Sequence, residues 1–396
     1  MKKKIVMLHH VAEQGGGTKS LIDIALMLKD EYEVLLCLPS GSRDTIELAS
    51  KYGVESHEMS ASIPMIGVFS GGPSLLSKNF IKGIARYRHI DSLIAELMQF
   101  NPDVIILNSL VTSIIARRIP KSVKTVCFIR ETIVHSPLMS FIRETFENYI
   151  DGVAYIAEHE KRLLDIKKPN QVVLPDILEP SSIVTMHKND ARKQANLDNE
   201  KYYALYMGGT ASIKGFDTVL SSIKHLDKDT CVIVLGVINE RLFTVKNILF
   251  HIYNVKYVSY LIRVKMLLKS YKEDSRLLLV GYQKNISALM CASDVVIFPS
   301  SKAHQPRPCI EAGFYKKPVV ISDFEATKEY FVDGYNALAF KPRNGHDLAK
   351  KIAKLKNDND LAKRIGSNNY IMSQKEHNYS DVQKATKDFI ESILNE

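Results

Sequence analysis

The sequence predicts an α/β protein made of two doubly wound domains, each on a parallel sheet. Three observations carry this. Short apolar runs alternate with segments of helical period from Lys4 to Leu174, and again from Tyr203 to Ile321. Between the two alternations, Glu179 to Asn199 turns polar, with Pro180, two serines and a charge-rich helix. The chain has 396 residues, so two domains of ordinary size are expected rather than one. This places a first domain over 1–178, a linker over 179–200 and a second domain over 201–376, with a polar helix in the remaining 377–396.

In order along the chain, MKKKIVMLHHV resembles a signal peptide at first sight. Its apolar stretch is too short for one and runs into His9, His10 and Glu13, so Lys4–Leu8 is read as the first strand. Gly15, Gly16 and Gly17 form a turn. Leu21, Ile24, Ala25 and Leu28 then recur at helical spacing within Thr18–Lys29. Strands follow at Val34–Leu38, Asp103–Leu107, Thr125–Ile129, Val153–Ile156 and Val172–Leu174. The second domain repeats the pattern at Tyr203–Met207, Thr230–Leu235, Arg276–Val280, Val295–Phe298 and Val319–Ile321. Strands alternating with helices imply parallel sheets. The final helix is read as Tyr379–Leu394.

Composition narrows the function classes. An apolar fraction of 45% supplies full cores. The five cysteines are scattered without a CxxC pair, which favours buried thiols and a reducing, cytoplasmic setting. No run reaches membrane-spanning length, so the expectation is a soluble or peripheral protein. The net charge of +9 points to an anionic partner: a nucleotide, a nucleic acid or an acidic membrane surface. No nucleic-acid-binding module is recognisable, which ranks that partner last. Two segments concentrate the charge. In Lys78–His89, Lys78, Lys82 and Arg86 form one helical stripe and Phe80, Ile84 and Tyr87 another, the pattern of a surface helix with an apolar side. Arg241–Lys272 contains seven lysines and arginines, no acidic residue and interleaved aromatics at Phe243, Phe250, Tyr253, Tyr257 and Tyr260; its apolar residues do not fall on one helical face, which argues against a simple amphipathic helix.

Two stretches carry chemistry. In ASDVVIFPSSKAHQPRPCIEAGFYKKPVVISDFEATKEYFVDGYNALAF, residues 292–340, a strand runs into a polar loop, then a helix opened by Glu311, the strand of Pro318–Ser322, a loop and a short strand. Doubly wound folds bind phosphorylated ligands where a parallel strand gives way to a loop and a helix N-terminus. MGGTASIKG, residues 207–215, repeats the arrangement between a strand and the helix Phe216–Ile223.

These stretches resemble the donor site of family 4 of the retaining, nucleotide-sugar-dependent glycosyltransferases, which have the GT-B fold of two Rossmann-like domains facing a cleft. The resemblance implies that Glu311 holds the nucleotide ribose and that Lys214, with Gly215, grips the diphosphate. The family's arginine in that loop falls on Gly209, and Arg307, beside Pro308 in the variant loop, is the candidate replacement for its charge. The family's first, sugar-contacting glutamate falls on Ala303. Gly16 and Gly17 match glycines that approach the donor phosphate, and Asn285 lies in the turn near the base. In IRET, Arg130 and Glu131 fall on the acceptor side, with Phe128 at the family's histidine position; acceptor binding and a loop-supporting Arg–Glu pair are equal readings. His135 is a weaker substitute, and His9 and His10 are read as structural. Asp176 is read as a hinge feature, and the last helix is expected to pack back on the first domain.

The resemblance therefore implies a retaining, metal-independent hexosyltransferase. It would use a UDP- or GDP-linked sugar as substrate, without a cofactor, and a saccharide or polyprenyl-linked acceptor of surface-polysaccharide assembly. The basic segments would meet an anionic membrane at its inner face. Because Ala303, Gly209 and Phe128 depart from the family pattern together, a second reading stays open: a subunit with a degenerate donor site that binds acceptor or partner and supports an active enzyme.

Overall fold

The computed structural model describes residues 2–396 apart from 14, 67, 68, 71, 73, 74, 76, 169, 237, 239, 251–253 and 284. It divides into two units, Met1–Glu179 with Asn378–Glu396, and Pro180–His377.

The first unit holds seven strands: β1 (Lys4–Leu8), β2 (Glu33–Leu38), β3 (Glu55–Glu58), β4 (Val104–Leu107), β5 (Lys124–Ile129), β6 (Gly152–Tyr155) and β7 (Gln171–Val173). Their order in the sheet is β3-β2-β1-β4-β5-β6-β7, parallel throughout. Helices cover both faces, so the central strands are continuous apolar runs. The two-residue period divides β1 between two cores: Val6 and Leu8 face one, Ile5 and Met7 the other. The second of these cores also takes Val382, Phe389, Ile390 and Ile393 from the helix Tyr379–Leu394. Gly152 permits that approach, because a Cβ there would overlap the Ile393 side chain.

The second unit holds six parallel strands: β8 (Tyr202–Met207), β9 (Thr230–Leu235), β10 (Leu277–Gly281), β11 (Val295–Phe298), β12 (Val319–Ser322) and β13 (Leu338–Phe340). The order is β10-β9-β8-β11-β12-β13. The 179–200 stretch contributes the helix Lys188–Gln194 to this unit. Its Arg192 is buried, with Nη2 2.7 Å from Asp294 Oδ2 and Nε donating to Ala292 O at 3.1 Å.

The two basic segments compare differently with their sequence reading. Arg241–Lys272 forms a turn at Glu240–Phe243 and helices at Val245–Phe250 and Val255–Ser270. The last of these is not a simple amphipathic helix, as expected, because it carries two apolar stripes. Leu261 and Val264 are fully buried in the core, while Val255, Ile262 and Met266 face outward. A pattern with two apolar faces hides the single moment that sequence reading looks for. In Lys78–His89, the helix Lys78–Ala85 is followed by a 3-10 turn at Arg86–His89. Phe80 is buried in the core and Tyr87 packs against it, so only Ile84 of the expected apolar stripe is exposed, joined by Ile81.

Candidate functional site

In a doubly wound sheet the crevice lies at the carboxyl ends of the two neighbouring strands whose connections leave in opposite directions. In the second unit these are β8 and β11. β8 runs out into residues 208–215 and β11 into 299–306. The two loops are locked together. Ser301 N donates to Ile213 O at 2.9 Å, and Ser301 Oγ to Ser212 O at 2.9 Å. Gly215 has φ +78°, and a Cβ there would overlap the Pro299 carbonyl, so this position requires glycine. Gly209 also has positive φ, +52°, and its N donates to Leu235 O at 2.9 Å.

Lys214 ends the short turn Ser212–Lys214, with Nζ 5.4 Å from the centre of the Phe298 ring at the end of β11. Burial pulls its pKa down to about 8, against the opposing fields of Cys309 and Glu311. His304 stacks on the same Phe298 ring, centroids 6.2 Å apart and planes within 9°. Burial, and then the Lys214 charge, hold its pKa well below the usual histidine range, so the imidazole is neutral.

Glu311 does not open its helix. The helix runs Arg307–Phe314, with Pro308 in its first turn, where the missing N–H breaks no bond. Glu311 lies one turn in and is buried, and Arg307 Nε donates to its Oε1 at 3.2 Å. The carboxylate is thus oriented by Arg307 rather than by free helix-end amides. Arg307, expected as a phosphate ligand, is engaged with Glu311. The helix Asn359–Glu376 braces this one from behind. Asn369 Nδ2 donates to Cys309 O at 3.3 Å and Ser373 Oγ to Ile310 O at 3.2 Å, the close approach being permitted by Gly313.

The structure thus brings Gly209, Lys214, Gly215, Arg307, Pro308 and Glu311 to the ends of two adjacent strands. Asn285 acts locally, as its Oδ1 accepts from Ser287 N at 2.9 Å at the start of the helix Ser287–Ala292.

In the first unit the corresponding strands are β1 and β4. His9 directly follows β1 and Asn108 directly follows β4, with Asn108 Nδ2 3.3 Å from His9 Nδ1 and 3.5 Å from Gly17 O. Gly16 and Gly17 begin the helix Gly16–Leu28, so glycine turn, His9 and Asn108 converge. Burial lowers the His9 pKa to about 3, with His10 adding to the effect, and lowers His10 to about 4. Both are neutral at ordinary pH.

Arg130 and Glu131 leave β5 in different directions and do not pair through their side chains. Arg130 Nη1 donates to Leu174 O at 3.1 Å and lies 3.7 Å from Asp176 Oδ1; both side chains are nearly buried. Glu131 accepts from Ser109 Oγ, from Leu110 N at 3.1 Å and from Arg130 N at 3.2 Å. Burial raises its pKa despite these donors. Arg130 ties the end of β5 to the chain after β7, and Glu131 ties it to the chain after β4. That replaces the Arg–Glu pair of the sequence reading and gives Asp176 a definite partner.

Sequence reasoning missed His304, Asn108, Ser109 and Tyr260, whose OH donates to Thr210 O at 2.6 Å. The available signal for Asn108 and Ser109 was position: both directly follow a strand at a switch point. Tyr260 lies fifty residues from its partner and carries no local signal.

Residues 187–372 match the family described as glycosyl transferases group 1. An uncharacterised glycosyltransferase of Methanocaldococcus jannaschii is 25% identical over 224 residues, 56% of this chain and 57% of that protein. The N,N'-diacetylbacillosaminyl-diphospho-undecaprenol alpha-1,3-N-acetylgalactosaminyltransferase of Campylobacter jejuni is 32% identical over 89 residues, 22% of this chain and 24% of that protein. The chain therefore matches about half the length of the first curated relative and a quarter of the second. Among solved structures, Anabaena Alr3699/HepE in complex with UDP-glucose superposes with a TM-score of 0.76 at 16% identity, covering 98% of this chain and 99% of that one. The two parallel sheets and this likeness establish the GT-B fold, and within it residues 187–372, the greater part of the second unit, resemble the glycosyl transferases group 1.

Proposed function

We propose that the chain is a retaining, metal-independent hexosyltransferase of the family 4 type. It takes a UDP- or GDP-linked sugar on the second unit and passes the hexose to an acceptor held by the first. The observation that carries this is the convergence of Lys214 and the Arg307-oriented Glu311 on the carboxyl ends of β8 and β11. Glu311 accepts from the ribose hydroxyls. Lys214 neutralises the charge that grows on the diphosphate as the glycosidic bond breaks, a contact strengthened in the transition state. The leaving phosphate oxygen takes the acceptor hydroxyl's proton, so no protein carboxylate attacks the sugar and neither metal nor cofactor is required. Arg130 and Glu131 act by holding the β4, β5 and β7 loop ends in place for the acceptor.

Gly209, at the family's arginine position, has φ +52°, the left-handed region that glycine enters most freely. Lys214 and Glu311, which the donor site needs, are both retained, and this favours an enzyme over a degenerate subunit. A lipid-linked acceptor is supported by the activity of the Campylobacter relative and by the basic segments 78–89 and 241–272, which suit an anionic membrane surface. Among the described residues no helix is long and apolar enough to cross a membrane, so the association would be peripheral.

The test is a hydrolysis and transfer assay against UDP-, GDP- and ADP-sugars, with EDTA in parallel. One nucleotide class is expected to be consumed, with anomeric configuration retained and no loss in chelator. No turnover of any donor would favour the subunit reading, and a chelator-dead, Mg²⁺-rescued enzyme would contradict metal independence.

A further inference from the structure

The helix Val255–Ser270 does two things at once. Its outer face carries a line of Val255, Ser259, Ile262 and Met266, on which the three apolar side chains are 76%, 44% and 65% exposed. At 100° per residue these four positions fall within about 60° of one another. Lys256 and Arg263 flank the line on one side, Lys265 and Lys269 on the other, and no acidic residue occurs from Arg241 to Lys272. An apolar ridge between two rows of cations matches a bilayer surface with anionic headgroups. The ridge enters the acyl boundary while the Lys256, Lys265 and Lys269 stems reach back to phosphate.

The inner face holds the nucleotide loop. Tyr260 OH donates to Thr210 O at 2.6 Å, in the middle of residues 208–215 that carry Lys214. Arg263 Nη1 lies 3.6 Å from Asp217 Oδ2, in the first turn of the helix that follows Gly215. Leu261 and Val264 pin the helix to the core alongside Val219 and Leu220 of that same helix. One rigid element therefore joins the outward apolar ridge to the loop proposed to hold the diphosphate.

Resting on the donor-site reading above, we infer that this helix couples membrane docking to donor binding. Seating its outer face on an anionic bilayer favours the position in which Tyr260 fixes the 208–215 loop and Arg263 the helix that follows it, and so raises affinity for the nucleoside diphosphate. Coupling between two equilibria is reciprocal, so nucleotide must tighten vesicle binding by the same factor.

The test is titration of the nucleoside diphosphate into the full chain in buffer, with phosphatidylcholine vesicles, and with vesicles of phosphatidylcholine and phosphatidylglycerol. Sedimentation of each vesicle type is measured with and without nucleotide. The expected result is at least about a fivefold lower nucleotide Kd with anionic vesicles only, matched by a similar gain in pelleting when nucleotide is present. The triple variant V255S/I262S/M266S alters exposed side chains only. It should keep the Kd measured in buffer and lose both pelleting and the vesicle effect. Tyr260→Phe should still pellet and lose most of the vesicle effect. Nucleotide binding that is indifferent to vesicles would overturn the coupling while leaving the donor site standing. Failure to pellet with anionic vesicles would overturn the lipid as the occupant of this face. No nucleotide binding under any condition would overturn the donor-site reading and the coupling with it.

Discussion

Lys214 is the side chain on which the proposed chemistry turns, and its environment sets a pH signature. Burial holds its pKa at about 8, below the ordinary 10.5. Affinity of the free chain for a nucleoside diphosphate should therefore be flat below pH 8 and fall as pH rises through it, because the neutral amine no longer pairs with phosphate. Stability moves the other way. A lysine whose folded pKa is lowered binds fewer protons than in the unfolded chain between about pH 8 and 10.5, so its contribution favours folding as pH rises through that window. Lys214→Arg keeps the charge and should carry the alkaline fall in affinity upward, as isothermal titration across pH would register. Lys214→Ala should raise the barrier to transfer by roughly 2–4 kcal/mol with little change in the unfolding midpoint. Near-normal turnover in that variant would remove Lys214 from the mechanism. Gly215 carries a structural demand beside it. Gly215→Ala combines positive φ with overlap on the Pro299 carbonyl, and should destabilise the second unit by at least about 1–2 kcal/mol in denaturant titration; an unchanged midpoint would show that the loop relaxes freely.

At the scale of elements, what was legible followed from burial. β1, β9 and β11 fall where their apolar runs place them, since a parallel strand covered on both faces has no polar face to blur the pattern. β3 was not legible: Glu-Ser-His-Glu is an edge strand with polar side chains, fixed by pairing with β2 rather than by its own sequence. The start of the Arg307–Phe314 helix was read four residues late, because Pro306 and Pro308 look like loop residues although proline suits a helix's first turn. The site followed the same division. Lys214 and Glu311 stand inside local wording that identifies them, whereas His304 against Phe298 and Tyr260 on Thr210 are contacts made only by folding. The final helix gives this scale its prediction. Ile390 is fully buried in the first unit's core, so Ile390→Ala should destabilise that unit by about 2–5 kcal/mol, read by denaturant unfolding. A loss below about 1 kcal/mol, on the order of a surface substitution, would show the helix to be peripheral.

For the molecule as a whole, the GT-B fold alone does not fix a reaction; chemistry belongs to sites built on the fold. Here the site evidence concentrates in the second unit, where the group 1 match and the convergence of Lys214, Arg307 and Glu311 coincide. The central claim is that the carboxyl ends of β8 and β11 hold a nucleoside diphosphate between these side chains. Calorimetric titration of UDP, GDP and ADP into the wild-type chain, and into Lys214→Ala and Glu311→Gln, tests it most directly. One nucleotide should bind the wild type, and each substitution should weaken it by on the order of tenfold, since each removes or dilutes a charge-assisted contact. Binding of none of the three, or equal affinity in all three proteins, would contradict the account.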